Sequence, residues 1–474
     1  MNVLVLGLGL HGGAIGTIEW LAKQACLPGR QGATITISDT KTAEQLSSSV
    51  EKLRGIPNIT FHFGNQDELS LDGIDMLVRN PAVPRKAPII ERARAAGIPV
   101  ELDSSLFFVH CPSQDVIGIT GSKGKTTTSS AIAHVLGALD RKTVAIGIDG
   151  ISPLGMLEEI TAATPVVFEI SSWRLEALQE KKISPHIAIC TSLYRDHLNT
   201  YSSFDEYIEV KKQIIKDQTK KDIAILNADD ERIRTWEDAV RGQLYWYSLR
   251  PLQDGEKGIW VDGDDVFVRT PTPAASGDSP LSKGEKFCSV SDIPHRAPHE
   301  LRNKLPAILI ALLREYSKED ILAAVASIPD LAHRLQLVRT VNGVDYVNDS
   351  AATMPDATIA ALSAYCNKPL ILIIGGSDKA LEFEELAQAI KAYPNIKHLI
   401  WLPGTATERM KATVIPTTNA SSHDAATMDE AVQTAADLAQ PGDTVLLSPG
   451  ATSFGLFLHE FNRGNAFIRA VELL

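Results

Sequence analysis

Three threonines, two glycines and two lysines fall in close succession at Thr120-Gly121-Ser122-Lys123-Gly124-Lys125-Thr126-Thr127. Glycines let a turn between strand and helix direct backbone N–H groups at phosphate oxygens, and the helix opening there adds a partial positive charge. In such a turn Lys125 would reach the β- and γ-phosphates of a nucleotide and Thr126 would hold Mg2+. The spacing is TGxxGKTT rather than GxxxxGK[ST], because Gly118 comes one residue early and Ile119 fills its place. An apolar run before the turn and a helical pattern after it favour a phosphate cradle over a chance turn capped by threonines. Glu169 closes another apolar run, where a carboxylate would face the phosphate loop at the crevice in which open α/β sheets bind ligands; a solvated strand-end acid is the other possibility. Gly7-Leu8-Gly9-Leu10-His11-Gly12 is a partial dinucleotide-type turn, and an NAD-binding version would give Asp39 the ribose 2′-hydroxyl. By residue type alone Lys211 reads as an exposed helix lysine, Arg334 as a linker ion, and Asp349 and Ser453 as helix caps.

Short Val/Ile/Leu runs must position these groups, and they alternate with amphipathic stretches of helix length, the pattern of parallel α/β units. The pattern predicts three α/β domains: a Rossmann-like N-terminal domain over 1–111, a central P-loop ATPase-type parallel sheet over 112–330, and a Rossmann-like C-terminal domain over 331–474. Strands are expected at 3–6, 34–37 and 75–78 in the first block. The second has 116–120, 143–148, 166–170, 187–191 and 223–226; the third has 370–374, 398–402 and 444–447. Between about Tyr245 and Val290 the period changes to hairpin-like segments around turns such as Asp262-Gly263-Asp264-Asp265, a β-rich excursion whose polar stretch 274–286 is expected to be mobile.

The 474 residues suffice for about two to four ordinary domains, and 44% apolar with 22% charged residues is a globular composition. A net charge of −12 argues against a general nucleic-acid or anionic-membrane binder, so any basic site must be local. Five scattered cysteines without a CxxC pair indicate neither a disulfide framework nor a zinc site. With no signal-peptide pattern and no apolar run near the roughly 20 residues that span a bilayer, a cytoplasmic monomer acting on small molecules is expected.

The stretch 118–128 resembles the ATP loop of the Mur ligases, the cytoplasmic amide-bond-forming enzymes of peptidoglycan precursor synthesis. Within them it is most similar to the branch that adds D-glutamate to UDP-N-acetylmuramoyl-L-alanine, and further motifs follow in order along essentially the whole chain. Glu169-Ile170-Ser171-Ser172-Trp173-Arg174-Leu175-Glu176 resembles the segment whose first Glu binds magnesium, with Arg174 where Gln is usual. Asp196-His197-Leu198 and Tyr207-Ile208-Glu209-Val210-Lys211 are similar to the second-metal region, which implies His197 as a magnesium ligand and a carbamylated Lys211. Asn303 matches the later Asn of the HNxxNxxAA helix and is implied as an adenine contact, although Glu300 replaces the earlier Asn. His333-Arg334 and Asp349-Ser350 match the HR and DS elements, giving Arg334 to the phosphates and Asp349 to the ribose.

For the incoming amino acid the resemblance implies Thr353, Lys379 in Gly375-Gly376-Ser377-Asp378-Lys379, and Ser453 in Ser448-Pro449-Gly450-Ala451-Thr452-Ser453. A dicarboxylic amino acid needs two anion contacts, which Lys379 on one side and Thr353 with Ser453 on the other would supply. Arg463-Gly464-Asn465-Ala466-Phe467 is similar to the same branch's RGxxF element. The family's DSKATN is here Asp349-Ser350-Ala351-Ala352-Thr353-Met354, so one lysine near the substrates is absent. In the first block the resemblance assigns Gly9, Leu10, His11, Gly12 and Asn80 to the uridine-nucleotide substrate and Asp39 with Thr40 to its uracil.

The implied reaction is phosphorylation of a carboxylate by ATP, with two magnesium ions, followed by attack of an amine on the acyl phosphate. Domain closure about joints near Pro112 and Leu331 is expected. A related ligase adding another amino acid such as L-glutamate, or a catalytically weak nucleotide-binding regulatory protein, stays open at this point.

Overall fold

The computed structural model describes residues 1–9, 13–25, 34–139, 142–148, 151–195, 200–270, 284–378 and 381–474. The chain divides into two compact units, residues 1–294 with 301–328, and residues 295–300 with 329–474.

The first unit contains two sheets. In the smaller, all-parallel sheet the strands lie in the order Ile59–Phe63, Ile35–Asp39, Val3–Leu6, Met76–Arg79, Val100–Glu101. Val3–Leu6 is buried along its whole length, as a central parallel strand covered on both faces must be. Pairing of Leu6 with Ser38 brings Gly7 and Asp39 to the same sheet end.

Among the described residues the larger sheet has nine strands. Val116–Thr120 lies between Ile187–Cys190 and Val166–Glu169, with Val144–Ile146 at one edge. Ile119 pairs with Glu169 and Thr120 with Cys190, so the strand that feeds the glycine turn ends beside both neighbours. Beyond Ile187–Cys190 follow Ile223–Asn227, Gln243–Ser248, Gly258–Asp262, Asp265–Arg269 and Glu285–Ser289. The expected hairpin forms about Gly263-Asp264, with Asp262 paired to Asp265 and Gly263 at φ +60°. Yet Gln243–Ser248 and Gly258–Asp262 run parallel to the central strands, so this region extends the main sheet instead of leaving it. Tyr245, Trp246 and Tyr247 explain this, since all three are buried, as an internal strand requires. Within the polar stretch, 274–283 lie outside the described residues.

The two sheets of this unit share one apolar cluster, in which Phe107 of helix Asp103–His110 meets Phe168 edge-on at 5.4 Å. Helix Ser172–Lys181 carries a row of ion pairs to the smaller sheet's side: Arg174 with Asp103, Glu176 with Arg79, and Lys181 with Glu101.

Among the described residues the second unit is built on a six-stranded sheet. Its order is Gln336–Val341, Val344–Asn348, Thr444–Leu447, Leu370–Ile374, Ile396–Trp401, Ser421–Asp424. All neighbours are parallel except the opening hairpin. That hairpin turns on Asn342-Gly343, both at positive φ, the two-residue connection that matches strand twist. Apolar clusters cover both faces of the parallel strands. Among the described residues no helix is long and apolar enough to cross a membrane.

Candidate active site

In the first unit, strand Val116–Thr120 runs into Gly121 at φ +148°, and Gly124 at φ +85° opens helix Lys125–Ala138. A Cβ on Gly121 would fall 1.9 Å from Thr191 Oγ1, and one on Gly124 would fall 2.7 Å from Asn303 Oδ1. Both glycines are therefore required by space as well as by φ. The turn is fastened from the neighbouring strand's end: Ser122 N donates to Ser192 O at 2.7 Å, Lys123 N to Ser192 Oγ at 3.0 Å, and Thr191 Oγ1 to Lys123 O at 2.6 Å. No acidic residue occupies the helix's first turn, where Thr126 and Thr127 sit half-buried, which leaves its positive end suited to an anion.

Two lysines converge on this turn. Lys125 Nζ donates to Gly121 O at 3.0 Å and Ser122 O at 3.2 Å, and Lys211 Nζ donates to Gly121 O at 2.9 Å. Lys211 is only 1% exposed, which corrects its appearance as a surface helix lysine. Helix Phe204–Lys216 turns Tyr207, Val210, Lys211 and Ile214 inward, and the ammonium lies 4.7 Å from the Tyr207 ring centre. At this short range a ring face attracts a cation.

Glu169 stands on the other flank of the loop, and its buried Oε2 has no hydrogen-bond partner. A buried carboxylate oxygen left without a donor suits a hard cation, which takes oxygen ligands. Among the described residues no group of three His, Cys, Asp or Glu side chains could hold a metal alone. A magnesium ion here would therefore draw on Glu169, the Thr126 hydroxyl and ligand oxygens. His197 lies outside the described residues.

Asn303 is buried with its side chain against Gly124, at the phosphate turn. Arg174, whose type departs from the family's Gln, reaches Asp103 with Nη2 at 2.7 Å from Oδ2 and lies over the Phe168 ring at 5.6 Å.

At the end of the smaller sheet a cavity of about 360 Å3 is bordered by Gly7, Gly9, Asp39, Thr40 and Asn80. The Asp39 carboxylate accepts from Leu8 N at 2.9 Å, Gly9 N at 3.2 Å and Lys41 N at 3.0 Å, so it shapes the glycine turn it faces. Asn80 Oδ1 accepts from Ala82 N at 3.1 Å, an Asx turn packed directly against Gly7 and Gly9. Leu10, His11 and Gly12 lie outside the described residues.

In the second unit three loops meet at the carboxyl ends of adjacent strands. Gly450 N donates to Ala352 O at 3.0 Å, and Ser377 N donates to Thr452 O at 2.8 Å. Thr353 and Ser453 are thus held on neighbouring loops, while Lys379 lies outside the described residues. Arg463, which is 1% exposed, ties two of these loops through neutral acceptors: Ser350 O at 2.8 Å, Ser350 Oγ at 3.0 Å and Ala451 O at 3.0 Å. Burial lowers its guanidinium pKa to about 10 against the pull of Glu460 and Asp349.

Asp349 and Ser453 are not helix caps. Met354 and His459 hold the cap positions of the helices that follow them. Asp349 is instead buried, accepting from Ser448 Oγ at 2.8 Å and Leu335 N at 3.2 Å. Burial pushes its carboxyl up to about 7, with those hydrogen bonds and the charges of Arg334 and Arg463 pulling the other way. The preceding His333 adopts φ +62° and receives the Asn348 amide on Nδ1 at 2.9 Å.

Residue-by-residue reading did not single out Arg79, Asp103, Tyr201 or Asn348, all of which act through partners distant in sequence. Nothing local in their sequence marks them.

The chain is similar to known proteins along its length. The family model for the Mur ligase middle domain matches residues 119–261, that for the Mur ligase glutamate ligase domain residues 333–450, and that for the MurD-like N-terminal domain residues 1–101. A protein of Roseiflexus sp. (strain RS-1) named UDP-N-acetylmuramoylalanine--D-glutamate ligase is 37% identical, covering 99% of this chain and 98% of its own. A protein of the same name from Koribacter versatilis (strain Ellin345) is 34% identical, covering 99% and 97%. Among solved structures, the UDP-N-acetylmuramate-alanine ligase of Thermotoga maritima superposes with a TM-score of 0.61 over 100% of this chain and 99% of its own, at 17% identity, a likeness of fold. With three domain models in sequence and full-length relatives above 30% identity, the chain belongs to the Mur ligase family.

Proposed function

We propose that this protein is an ATP-dependent, ADP-forming ligase that joins D-glutamate to UDP-N-acetylmuramoyl-L-alanine in the cytoplasmic synthesis of peptidoglycan precursors. The observation that carries the proposal is the pair of lysines gathered on the glycine turn, one of them fully buried, opposite a carboxylate oxygen that lacks a partner. The relatives that match over full length bear the name of that reaction.

The alanyl carboxylate attacks the γ-phosphorus of ATP, and ADP leaves with the bonding pair. The glutamate amine then adds to the acyl phosphate carbon, and inorganic phosphate departs as the amide forms and the amine gives up a proton. Backbone N–H groups of 124–127, at the opening of the helix, and Lys125 hold the phosphates and offset charge as it develops. Thr126 and Glu169 would hold Mg2+, with a second ion near His197 and Lys211; bound there, magnesium supplies charge neutralisation on the phosphoryl oxygens. Lys211 carbamylation would add CO2 to the neutral amine with loss of a proton, converting a buried cation beside the loop into a carboxylate able to bind a cation. Asn303, Arg334 and Asp349 are assigned to ATP. The Gly9–Gly12 turn, Asp39, Thr40 and Asn80 are assigned to the uridine-nucleotide end of the acceptor, and Thr353, Lys379 and Ser453 to glutamate.

The test is phosphate release from ATP with Mg2+ and UDP-N-acetylmuramoyl-L-alanine, scanned over D-Glu, L-Glu, D-Asp and diamino acids. Release is expected with D-Glu. Equal or greater release with another amino acid would reassign the substrate, and none with any of them would end the ligase proposal.

A further inference from the structure

The smaller sheet's cavity and the phosphate loop are linked by a continuous chain of buried polar and aromatic side chains that the proposed chemistry does not use. Arg79 ends strand Met76–Arg79 immediately before the Asn80 turn at the cavity's edge. Its Nη1 donates to Val83 O at 2.7 Å within that turn, and its Nη2 to Glu176 Oε2 at 2.8 Å. Glu176 Oε1 accepts from Tyr201 OH at 3.0 Å, and the Tyr201 ring lies 5.4 Å from that of Tyr207. Tyr207 OH is 3.2 Å from Ser122 Oγ in the phosphate loop, and its ring lies under the Lys211 ammonium. Arg79, Glu176, Tyr201, Tyr207, Ser122 and Lys211 are each at most 5% exposed.

A buried ion pair is a poor way to strengthen a seam, because well-packed apolar residues of similar volume often do as well or better. It does fix relative geometry, since a guanidinium fork and a carboxylate satisfy each other in few orientations. Here the fork also grips the cavity's turn, so a ligand that shifts residues 80–83 must move Arg79, and Glu176 with it. The close-packed tyrosines offer no slack to absorb that movement before it reaches Ser122.

We infer that Glu176 and Tyr201 are positioning residues that couple occupancy of the nucleotide-sugar cavity to the geometry of the phosphate loop. The inference rests on the proposal that this cavity takes the uridine nucleotide of the acceptor. Binding at either site then tightens the other by the same factor. The coupling needs no contact between the two ligands.

The measurement is calorimetric binding of a non-hydrolysable ATP analogue to the full chain, alone and with saturating UDP-N-acetylmuramoyl-L-alanine, and the reciprocal titration. In the wild type the second ligand is expected to bind about fivefold or more tightly when the first is present. Tyr201→Phe deletes one hydroxyl, and Glu176→Gln deletes one charge. In each, coupling should fall to within about twofold of unity while each ligand's separate affinity changes by less than that. Tyr247→Phe removes a buried hydroxyl that donates to Cys190 O at 3.1 Å, off this chain, and should leave coupling intact. Absence of coupling in the wild type, full coupling in both chain variants, or equal loss in Tyr247→Phe would overturn the inference. Failure of the wild type to bind the acceptor while it binds the ATP analogue would instead remove the reading of the cavity itself.

Discussion

Arg174 holds Asp103 through both carboxylate oxygens, with Nη2 2.7 Å from Oδ2 and Nε 3.2 Å from each. Both side chains are largely buried, at 14% and 6% exposure, and they join the helix after Glu169 to the helix Asp103–His110. Truncating either partner strands the other charge in a dry seam, so Arg174→Ala or Asp103→Ala should each lower unfolding free energy by about 3–5 kcal/mol. The double change Arg174→Met with Asp103→Leu should recover most of that. Urea denaturation of the three variants checks it; additive losses in the double variant would mean the two residues act independently.

Lys211 makes the second prediction. Lys211→Ala should reduce phosphate release by about a hundredfold or more, the usual cost of losing a group that stabilises transition-state charge. Short carboxylates such as formate or acetate should restore part of it if a carbamate normally stands there. In the wild type, 13C-labelled bicarbonate should give a carbamate carbon resonance that Lys211→Ala lacks. Activity of Lys211→Ala that carboxylates never improve would argue for a plain ammonium.

Asp349 links stability to pH. Its folded pKa, about 7, lies above the ordinary value of 3.8, so the folded protein holds this proton more tightly than the unfolded chain. The contribution is complete below about pH 4 and disappears as pH rises through 7, amounting to about 4 kcal/mol at most. Between pH 5 and 8 the wild type should therefore lose stability relative to Asp349→Asn. Melting temperatures of the pair across that range decide the matter, and parallel curves would contradict it.

Gly124→Ala tests the turn. The added Cβ meets Asn303 Oδ1 at 2.7 Å and must adopt φ +85°, so a loss of about 1–3 kcal/mol and weaker ATP-analogue binding are expected. Asn303→Ala in the same chain should relieve the clash but not the backbone strain, and so recover only part of the stability. Full recovery would show that strain at φ +85° costs little.

Much of the parallel framework was legible because buried strands advertise themselves: Val116–Thr120 and Thr444–Leu447 fall at the expected positions as unbroken apolar runs. Edge strands carry no such signature. Ser421–Asp424 is polar and mostly exposed, and Gln336–Val341 alternates weakly, so neither was among the expected strands. Gln243–Ser248 looked like part of an excursion because its aromatic residues suit hairpins, whereas two-sided burial makes it internal. At the site, Lys125 and Glu169 follow from the local pattern of strand, turn and helix. Lys211 came only through family resemblance, since nothing around it in sequence says that its helix turns that face inward. Arg79 and Glu176 lie 97 residues apart, and no local pattern connects them.

In the second unit, Thr444–Leu447 is the last strand in the chain, yet it is inserted between Val344–Asn348 and Leu370–Ile374. During synthesis the strand that separates these two is made after both of them, so neither can take its final neighbour on that side until Thr444–Leu447 has emerged. The loops that carry Thr353 and Ser453 cannot be brought together before that moment. A chain that stops short of residue 444 thus lacks the middle of this sheet, whereas every strand of the first unit has already been made.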